Sequence, residues 1–273
     1  SSYQLEYSRL FKSNIALILN ISPDHLERHK TINRYVSAKF KLLKNQSKKD
    51  FAILNTNNFY IKKELKSKIF SSKIIKVKQG IDNNLLKKIN NQYLNTDGNR
   101  ENLRFILEVA KILKLNFFVL IKTLNKFKGL KYRQEIIFQS KKLTIINDSK
   151  ATTFSSSVSL LKSLTNVYWI VGGQAKKGDK LLLSKKDCKN FKAYIFGVNK
   201  NFFISKIKKL MKYESFLDLK SIVRKISSEI KVEKKISHKT ILFSPSAASF
   251  DNFKNFEKRG EYFNQLIKKY INA

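Results

Sequence analysis

The sequence predicts an α/β protein whose parallel sheet is covered by helices on both faces. Short apolar runs bounded by polar turns alternate with stretches of helical spacing, and 42% of the 273 residues are apolar, enough for one large core or two modest ones. The runs predict strands over 15–21, 51–55, 73–77, 143–147, 167–172, 193–198 and 240–244. The helical spacing predicts helices over 31–44, 57–68, 99–114, 117–127, 154–164, 200–211, 219–230 and 256–270. In the helix from 99, Leu103, Ile106, Leu107, Ala110 and Leu113 recur at spacings of three and four, which predicts one buried face. The segment KFKGLKYR then interrupts the pattern, with Gly129 as the helix stop. A boundary there divides the chain into an incomplete first domain, 1–129, and a complete second domain, 130–273, with its own strand–helix alternation.

Composition narrows the function classes. One cysteine, Cys188, excludes an internal disulfide framework and any multi-cysteine zinc site. No run reaches the roughly 18 to 20 apolar residues of a membrane-spanning helix, and IALILNI and VYWIVGG read as buried strands. The opening SSYQLEYSRLFKS lacks the basic start and apolar stretch of a secretory signal and is expected to be an interior point of a longer chain. Lys and Arg number 56 against 20 acids, a net charge of +36 that would ordinarily suggest nucleic acid or an anionic membrane surface. Only eight of the 56 are Arg, however, and Arg carries most bidentate recognition of phosphates and base edges. The charge is also scattered along the whole length, as in the Lys- and Asn-rich products of an AT-rich genome, so neither nucleic acid nor membrane is expected as a partner.

Two segments place polar groups at the ends of strands, where α/β proteins bind ligands. In ALILNISPDHLERHKTINRYVSAKFKLL a buried strand delivers a corner of Ser22, Pro23, Asp24 and His25. His25 and His29 flank Glu27 at a spacing of four, but a zinc-protease helix needs its Glu directly after the first His, so that reading fails. From spacing alone, His25 reads as a helix-start histidine bonded locally. Tyr35 and Lys39 share a helix face one turn apart, with Ala38 leaving room beside the lysine. In GGQAKKGDK, Gly173 and Gly178 have the spacing of a phosphate loop. Asp179-Lys180 stands where Lys-Ser or Lys-Thr is required, which leaves Gly172 and Gly173 as the turn after a strand. Phe250 and Phe253 read as core packing, and Glu257 suits the positive end of the last helix.

Taken together, several segments resemble the Mur ligases. SSYQLE, LNISPDHLERH and YVSAK are similar to that family's SSFQLE, LNITPDHLDRH and YxxAK elements, while FKGLKYRQE, INDSKAT and SPSAASFDNFKNFEKRG are similar to its C-terminal signatures. The last two resemble the glutamate-adding branch in particular, and the similarity runs from Ser1 to the last helix. Two positions depart from the pattern: Gly98 stands where a His is usual, and Ala247 where a Cys is usual.

The resemblance implies an incomplete parallel-sheet ATPase domain over 1–129 and a Rossmann-like amino-acid-binding domain over 130–273. It implies a cytoplasmic, monomeric enzyme that uses ATP to join D-glutamate to UDP-N-acetylmuramoyl-L-alanine through an acyl phosphate, for peptidoglycan synthesis. Magnesium would be held by Glu6, His25 and a carbamylated Lys39, oriented by Tyr35. ATP would be met by Asn99, Asn102, Arg133 and Asp148, with Lys39, His25 and Arg133 as the catalytic set. D-Glutamate would be met by Lys150, Thr152, Lys176, Ser249 and the backbone near Phe256. The N-terminal domain that binds the uridine nucleotide and the glycine-rich phosphate loop are not within this sequence, so the chain alone is expected not to ligate. The alternative from another class is a catalytically silent basic module that coats nucleic acid or anionic surfaces.

Overall fold

A computed structural model describes residues 1–77, 80–91, 93–94, 97–176, 178–232 and 238–271. The chain forms two compact units, the first over Ser1–Leu94 and Asn99–Lys126 and the second running on from Phe127.

The first unit contains α1 (Ser2–Tyr7), β1 (Ile15–Ile18), α2 (Leu26–His29), α3 (Ile32–Phe40), β2 (Phe51–Asn55), α4 (Phe59–Ser67), β3 (Lys73–Val77), α5 (Asn83–Lys88), α6 (Asp97–Ile112) and α7 (Phe117–Lys126). A single 3-10 turn, Lys41–Leu43, extends α3. The three strands form a parallel sheet in the order β1-β2-β3. Side chains alternate across a strand, so Ala16, Ile18, Ala52 and Leu54 meet Tyr35, Val36 and Phe40 of α3 and Ile61 of α4 on one face. Ile15, Leu17, Ile53 and Val77 meet Phe105, Val109 and Ile112 of α6 on the other. Local capping fixes where the helices start: Thr31 Oγ1 accepts from Arg34 N, and Asn58 Oδ1 from Tyr60 N and Ile61 N.

The predicted single face of α6 needs correction. Leu103 is buried and Ala110 is 6% exposed, but Ile106 is 37% and Leu113 54% exposed. This helix packs on two sides. Phe105, Val109 and Ile112, at steps of four and three, turn to the sheet, while Leu103 and Leu107 pack with Ile89, Leu94 and Leu124.

The second unit contains β4 (Glu135–Gln139), β5 (Leu143–Asn147), α8 (Phe154–Lys162), β6 (Val167–Gly172), β7 (Lys192–Phe196), α9 (Lys200–Ile207), β8 (Lys212–Ser215), α10 (Leu219–Val232), β9 (Lys239–Phe243) and α11 (Phe256–Tyr270). Six strands run in the order β4-β5-β9-β6-β7-β8, and β4 alone among them pairs antiparallel. Phe154, Leu160 and Leu161 of α8 and Phe203 and Ile207 of α9 cover one face, against Ile146, Trp169, Ile195 and Leu242. Leu219, Ile222 and Val223 of α10 and Phe263, Leu266 and Ile267 of α11 cover the other, against Ile145, Ile170, Tyr194 and Phe243. Because β9 inserts between β5 and β6, the loops after these three strands open at the same end of the sheet, where the chain order reverses.

The expectation of parallel strands under two helical layers holds for the centre of this sheet and misses its edges. β4 carries an apolar run of only three residues, Ile136 to Phe138, and β8 none, since edge strands bury less of their surface. α1 and α5 are also absent from the sequence reading; each has six residues, too few to establish a period.

Phe263 is fully buried and stacks on Phe243 with ring centres 4.4 Å apart. Phe263→Ala is expected to cost about 3–5 kcal/mol, read as a lower urea midpoint at unchanged slope.

Candidate functional site

In the first unit, the segment after β1 leads to the corner at Asp24 and His25. His25 sits at φ 54, the left-handed region, and opens α2. Its backbone N donates to Asp24 Oδ1 at 2.9 Å. Its ring lies between carboxylates, with Nε2 3.6 Å from Asp24 Oδ2 and Nδ1 3.4 Å from Glu27 Oε1. Tyr3 of α1 stands edge-on to both His25 and His29. His29 is buried, with Nε2 3.0 Å from Ser2 Oγ, so the two imidazoles differ in their polar partners.

Tyr35 and Lys39 share a face of α3, as their spacing predicts. Lys39 Nζ lies 4.9 Å from the centre of the Tyr35 ring, and that ring is 6.3 Å from His25. Burial pulls the Lys39 pKa below its ordinary value, while the Asp24 charge works against the shift. The Tyr35 hydroxyl is pushed up, by burial first and Asp24 second. Asp24, His25, Tyr35 and Lys39 therefore form one neighbourhood. Glu6 is engaged elsewhere: its carboxylate accepts from Arg28 Nε at 3.2 Å, and its carbonyl accepts from Lys41 Nζ at 2.7 Å. Among the described residues, no group of three or more His, Cys, Asp or Glu side chains is placed to hold a metal ion. Magnesium favours oxygen donors. Asp24 is one beside His25, and a carbamate on Lys39 would supply more, so the donor chemistry fits on this side. Glu6 would have to exchange Arg28 for the metal.

The two asparagines of α6 differ in role. Asn99 is buried and donates Nδ2 to Tyr93 O at 2.7 Å. Asn102, whose Nδ2 is 3.5 Å from Asn99 Oδ1, borders a hollow of about 270 Å³ walled by Leu17, Leu19, Phe105, Ile106 and Leu115. An apolar slot with one amide at its edge suits a flat heteroaromatic ring.

In the second unit, the loops after β5 and β9 are tied together by Arg259, which α11 sends fully buried between them. Its Nε donates to Ser149 Oγ at 3.1 Å, Nη1 to Ala248 O at 3.1 Å, and Nη2 to Ser149 O and Ala247 O at 2.8 and 2.9 Å. Ser149 Oγ in turn donates to Phe256 O at 2.8 Å. This brings Lys150, Ser249 and Phe256 onto connected backbone. Lys150 is exposed, with Nζ 3.7 Å from the centre of the Phe256 ring, and Ser249 is buried. Gln174 and Ala248 exchange backbone hydrogen bonds at 3.2 and 3.0 Å, which joins the loop carrying Lys176 to the same frame. Asp179 Oδ2 accepts from Phe154 N at 2.6 Å and so links that loop to the start of α8, beside exposed Thr152. Of the two glycines expected to form the turn after a strand, Gly172 is the last residue of β6, paired with Phe196, and Gly173 follows it. A side chain on Gly197, at φ 86, would stand 2.5 Å from Gly173 N, so the ends of β6 and β7 meet backbone to backbone.

Asp148 is 3% exposed, with Oδ2 accepting from Ser244 Oγ at 2.8 Å and Oδ1 from Gln134 N at 3.1 Å. Ser244 continues into a buried hydroxyl chain through Ser157 to Ser246, each step 2.7 Å. Arg133 is exposed. Sequence reasoning missed Arg259 and the serine chain, because a lone arginine or serine carries no periodic signal of burial. It also misread Phe250, which is 72% exposed where core packing was expected, because the chain turns at the surface before α11. Phe253 is half-buried against Tyr262, with ring centres 5.6 Å apart.

Both units thus present polar side chains at strand ends of parallel α/β sheets, the arrangement of ligand-binding proteins of this class. Residues 1–119 match the model of the Mur ligase middle domain. Over both units the chain is similar to Mur ligases. It is 32% identical to the UDP-N-acetylmuramoylalanine--D-glutamate ligases of Rickettsia felis and Rickettsia prowazekii over 99% of its length, and 32% identical to that of Francisella philomiragia over 98%. It spans about 64% of the length of the two Rickettsia relatives and 63% of the Francisella one. Among solved structures, MurC of Thermotoga maritima aligns over 98% of this chain and 62% of its own at a TM-score of 0.63 and 17% identity. MurF of Acinetobacter baumannii aligns over 96% and 61% at 0.65 and 14%. MurF of Thermotoga maritima in complex with ADP aligns over 94% and 63% at 0.58 and 17%. These structural likenesses are likenesses of fold.

Burial pushes the Asp148 pKa up to about 7 from 3.8, against the opposing pull of Ser244, Gln134, Arg133 and Arg259. Between these two values the folded chain holds more protons than the unfolded one, so the stability from neutral Asp148 is complete below about pH 4 and is lost as pH rises through about 7. Asp148→Asn is expected to flatten that slope and to raise the melting temperature at pH 8 by several degrees. Thermal denaturation from pH 5 to 8 checks this, and an unchanged slope in the variant contradicts it.

Proposed function

We propose that this chain supplies the amino-acid-binding part and a share of the nucleotide-binding part of an ATP-dependent ligase that joins D-glutamate to UDP-N-acetylmuramoyl-L-alanine in peptidoglycan precursor synthesis. The observation that carries this reading is the 32% identity, which continues across both units to ligases of that name. The loops held by Arg259 support it.

An ionised carboxylate is a poor electrophile. In the proposed reaction a carboxylate oxygen of the acceptor attacks the γ-phosphorus of ATP, ADP departs, and the acyl phosphate replaces oxide with a good leaving group. The amine of D-glutamate then attacks the carbonyl carbon, and the tetrahedral adduct expels phosphate as the amine loses its proton. Transfer between anions requires cationic neutralisation and alignment more than a protein nucleophile. Magnesium, held by His25, Glu6 and a carbamate on Lys39, would supply positive charge to the phosphates.

The remaining work falls to the chain's own groups. Lys150 and Lys176 neutralise the two carboxylates of D-glutamate, and Thr152 and Ser249 offer hydroxyls to them. The Phe256 ring under Lys150 holds that ammonium in place by a cation–π contact. Arg133 meets phosphate oxygens, Asn102 an edge of the adenine, and Asp148 belongs to the nucleotide side. Desolvated Lys39 reaches its neutral, CO2-reactive form more readily than a surface lysine does.

Two measurements test this reading. Titrating D-glutamate into the isotope-labelled chain is expected to move resonances at Lys150, Thr152, Lys176 and Ser249, and Lys150→Ala is expected to weaken binding by about tenfold or more. Equal effects from L-lysine, or none from D-glutamate at millimolar concentration, would refute the amino-acid assignment. With 13C-bicarbonate, a carbamate carbonyl signal is expected that Lys39→Arg abolishes; a signal that survives the substitution places the modification on another lysine.

A further inference from the structure

The segment that carries Arg133 has an unusual backbone. Tyr132 at φ 61 and Gln134 at φ 49 are both left-handed, one on each side of Arg133, and neither is glycine. Each such residue costs on the order of 1 kcal/mol or more, and persists where the surroundings over-determine it. Four contacts do so here. Tyr132 N donates to Glu135 Oε2 at 2.9 Å, and Tyr132 O accepts from Lys150 N at 2.9 Å. The Tyr132 ring packs so closely on Gly260 of α11 that a Cβ there would lie 2.4 Å from its Cδ1. Gln134 N donates to Asp148 Oδ1 at 3.1 Å. Arg133 itself stays exposed.

We propose that Asp148 is a positioning residue for Arg133: its carboxylate bridges the 130–135 loop and the end of β9, holding the loop in its left-handed course so that the guanidinium faces outward already ordered. The geometry favours this internal task over direct contact with a ligand. Oδ1 serves Gln134, Oδ2 serves Ser244, and 3% exposure leaves little surface for anything else. The lattice behind Asp148 is rigid, since Ser244 is fixed through Ser157 to α8 and its carbonyl accepts from Trp169 Nε1 at 2.8 Å. A preset guanidinium loses less freedom when it meets an anion, which is the gain expected of preorganisation. That gain for the nucleotide rests on the role proposed above for Arg133; the brace itself does not.

Residue-resolved amide exchange on this chain tests the brace apart from any ligase activity. In the unsubstituted protein the Gln134 amide is expected to exchange at least about tenfold more slowly than in an unstructured peptide. Exchange at the unstructured rate overturns the proposal without recourse to any variant. Asp148→Ala is expected to speed exchange at Tyr132 and Gln134 by about tenfold or more while the β6 amides keep their protection. Acceleration that matches β6, or no acceleration in a folded variant, overturns it. Asp148→Asn separates hydrogen bonding from charge. Its amide oxygen can accept from Gln134 and its amide nitrogen can donate to Ser244 Oγ, so most of the lost protection is expected to return. If Asn behaves as Ala does, attraction between the carboxylate and Arg133 is the operative link and the hydrogen-bonded brace is wrong.

Discussion

A guanidinium removed from water is tolerated where its N–H groups find acceptors, and Arg259 is placed where four of these bonds join two loops, those after β5 and β9. Burial pulls its pKa down to about 10, which still leaves it charged at neutral pH. Three of its acceptors are backbone carbonyls, Ser149 O, Ala247 O and Ala248 O, in the segments that follow β5 and β9. One side chain thereby satisfies the polar groups of loops that no sheet ladder can reach, and fixes the spacing of Lys150 from Ser249. The second unit places its exposed cations and hydroxyls on a scaffold set from beneath, which is how a loop site gains the accuracy of a helix or strand.

The first unit solves a related problem with rings. Tyr3, His25, His29 and Tyr35 meet in edge-to-face and tilted pairs, with centres between 5.1 and 6.3 Å apart. The Tyr35 ring of this cluster lies against Lys39, whose burial lowers the cost of its neutral form. α1 contributes Tyr3, which explains why a helix of only six residues matters to the corner: its capping box, from Ser1 to Gln4, sets the direction from which that ring arrives.

How much of this could be read beforehand follows from how burial writes itself into sequence. β2, β5, β6 and β9 are covered on both faces and appear as largely apolar runs, so their positions were legible to within a residue or two. α6 was legible as a helix but not in its packing, because a helix buried on two sides spreads apolar residues over more than one stripe. The corner at Asp24 and His25 and the lysine four residues after Tyr35 stood out by position at a strand end and by spacing. Lys150, Thr152 and Ser249 stood out through resemblance alone, since a lysine among 56 basic residues has no local mark of its task. Arg259 is bound to Ser149 and Asp148 to Ser244, partners about a hundred residues away in the chain, and no short window along the sequence contains both ends of those bonds.

The outermost strand of the larger sheet bears on the solubility of so lysine-rich and strand-rich a chain. β8 has four residues, KYES, with Lys212 exposed and Tyr213 39% exposed, and Glu214 is drawn sideways to Lys192 at 2.7 Å. At the opposite border, β4 shifts register between Ile136 and Phe138, which bends it away from a straight ladder. Brevity with charge on one margin and a kink on the other leave no long, flat rim onto which a second molecule could add its own strands. The fold can expose a border to solvent without templating fibres.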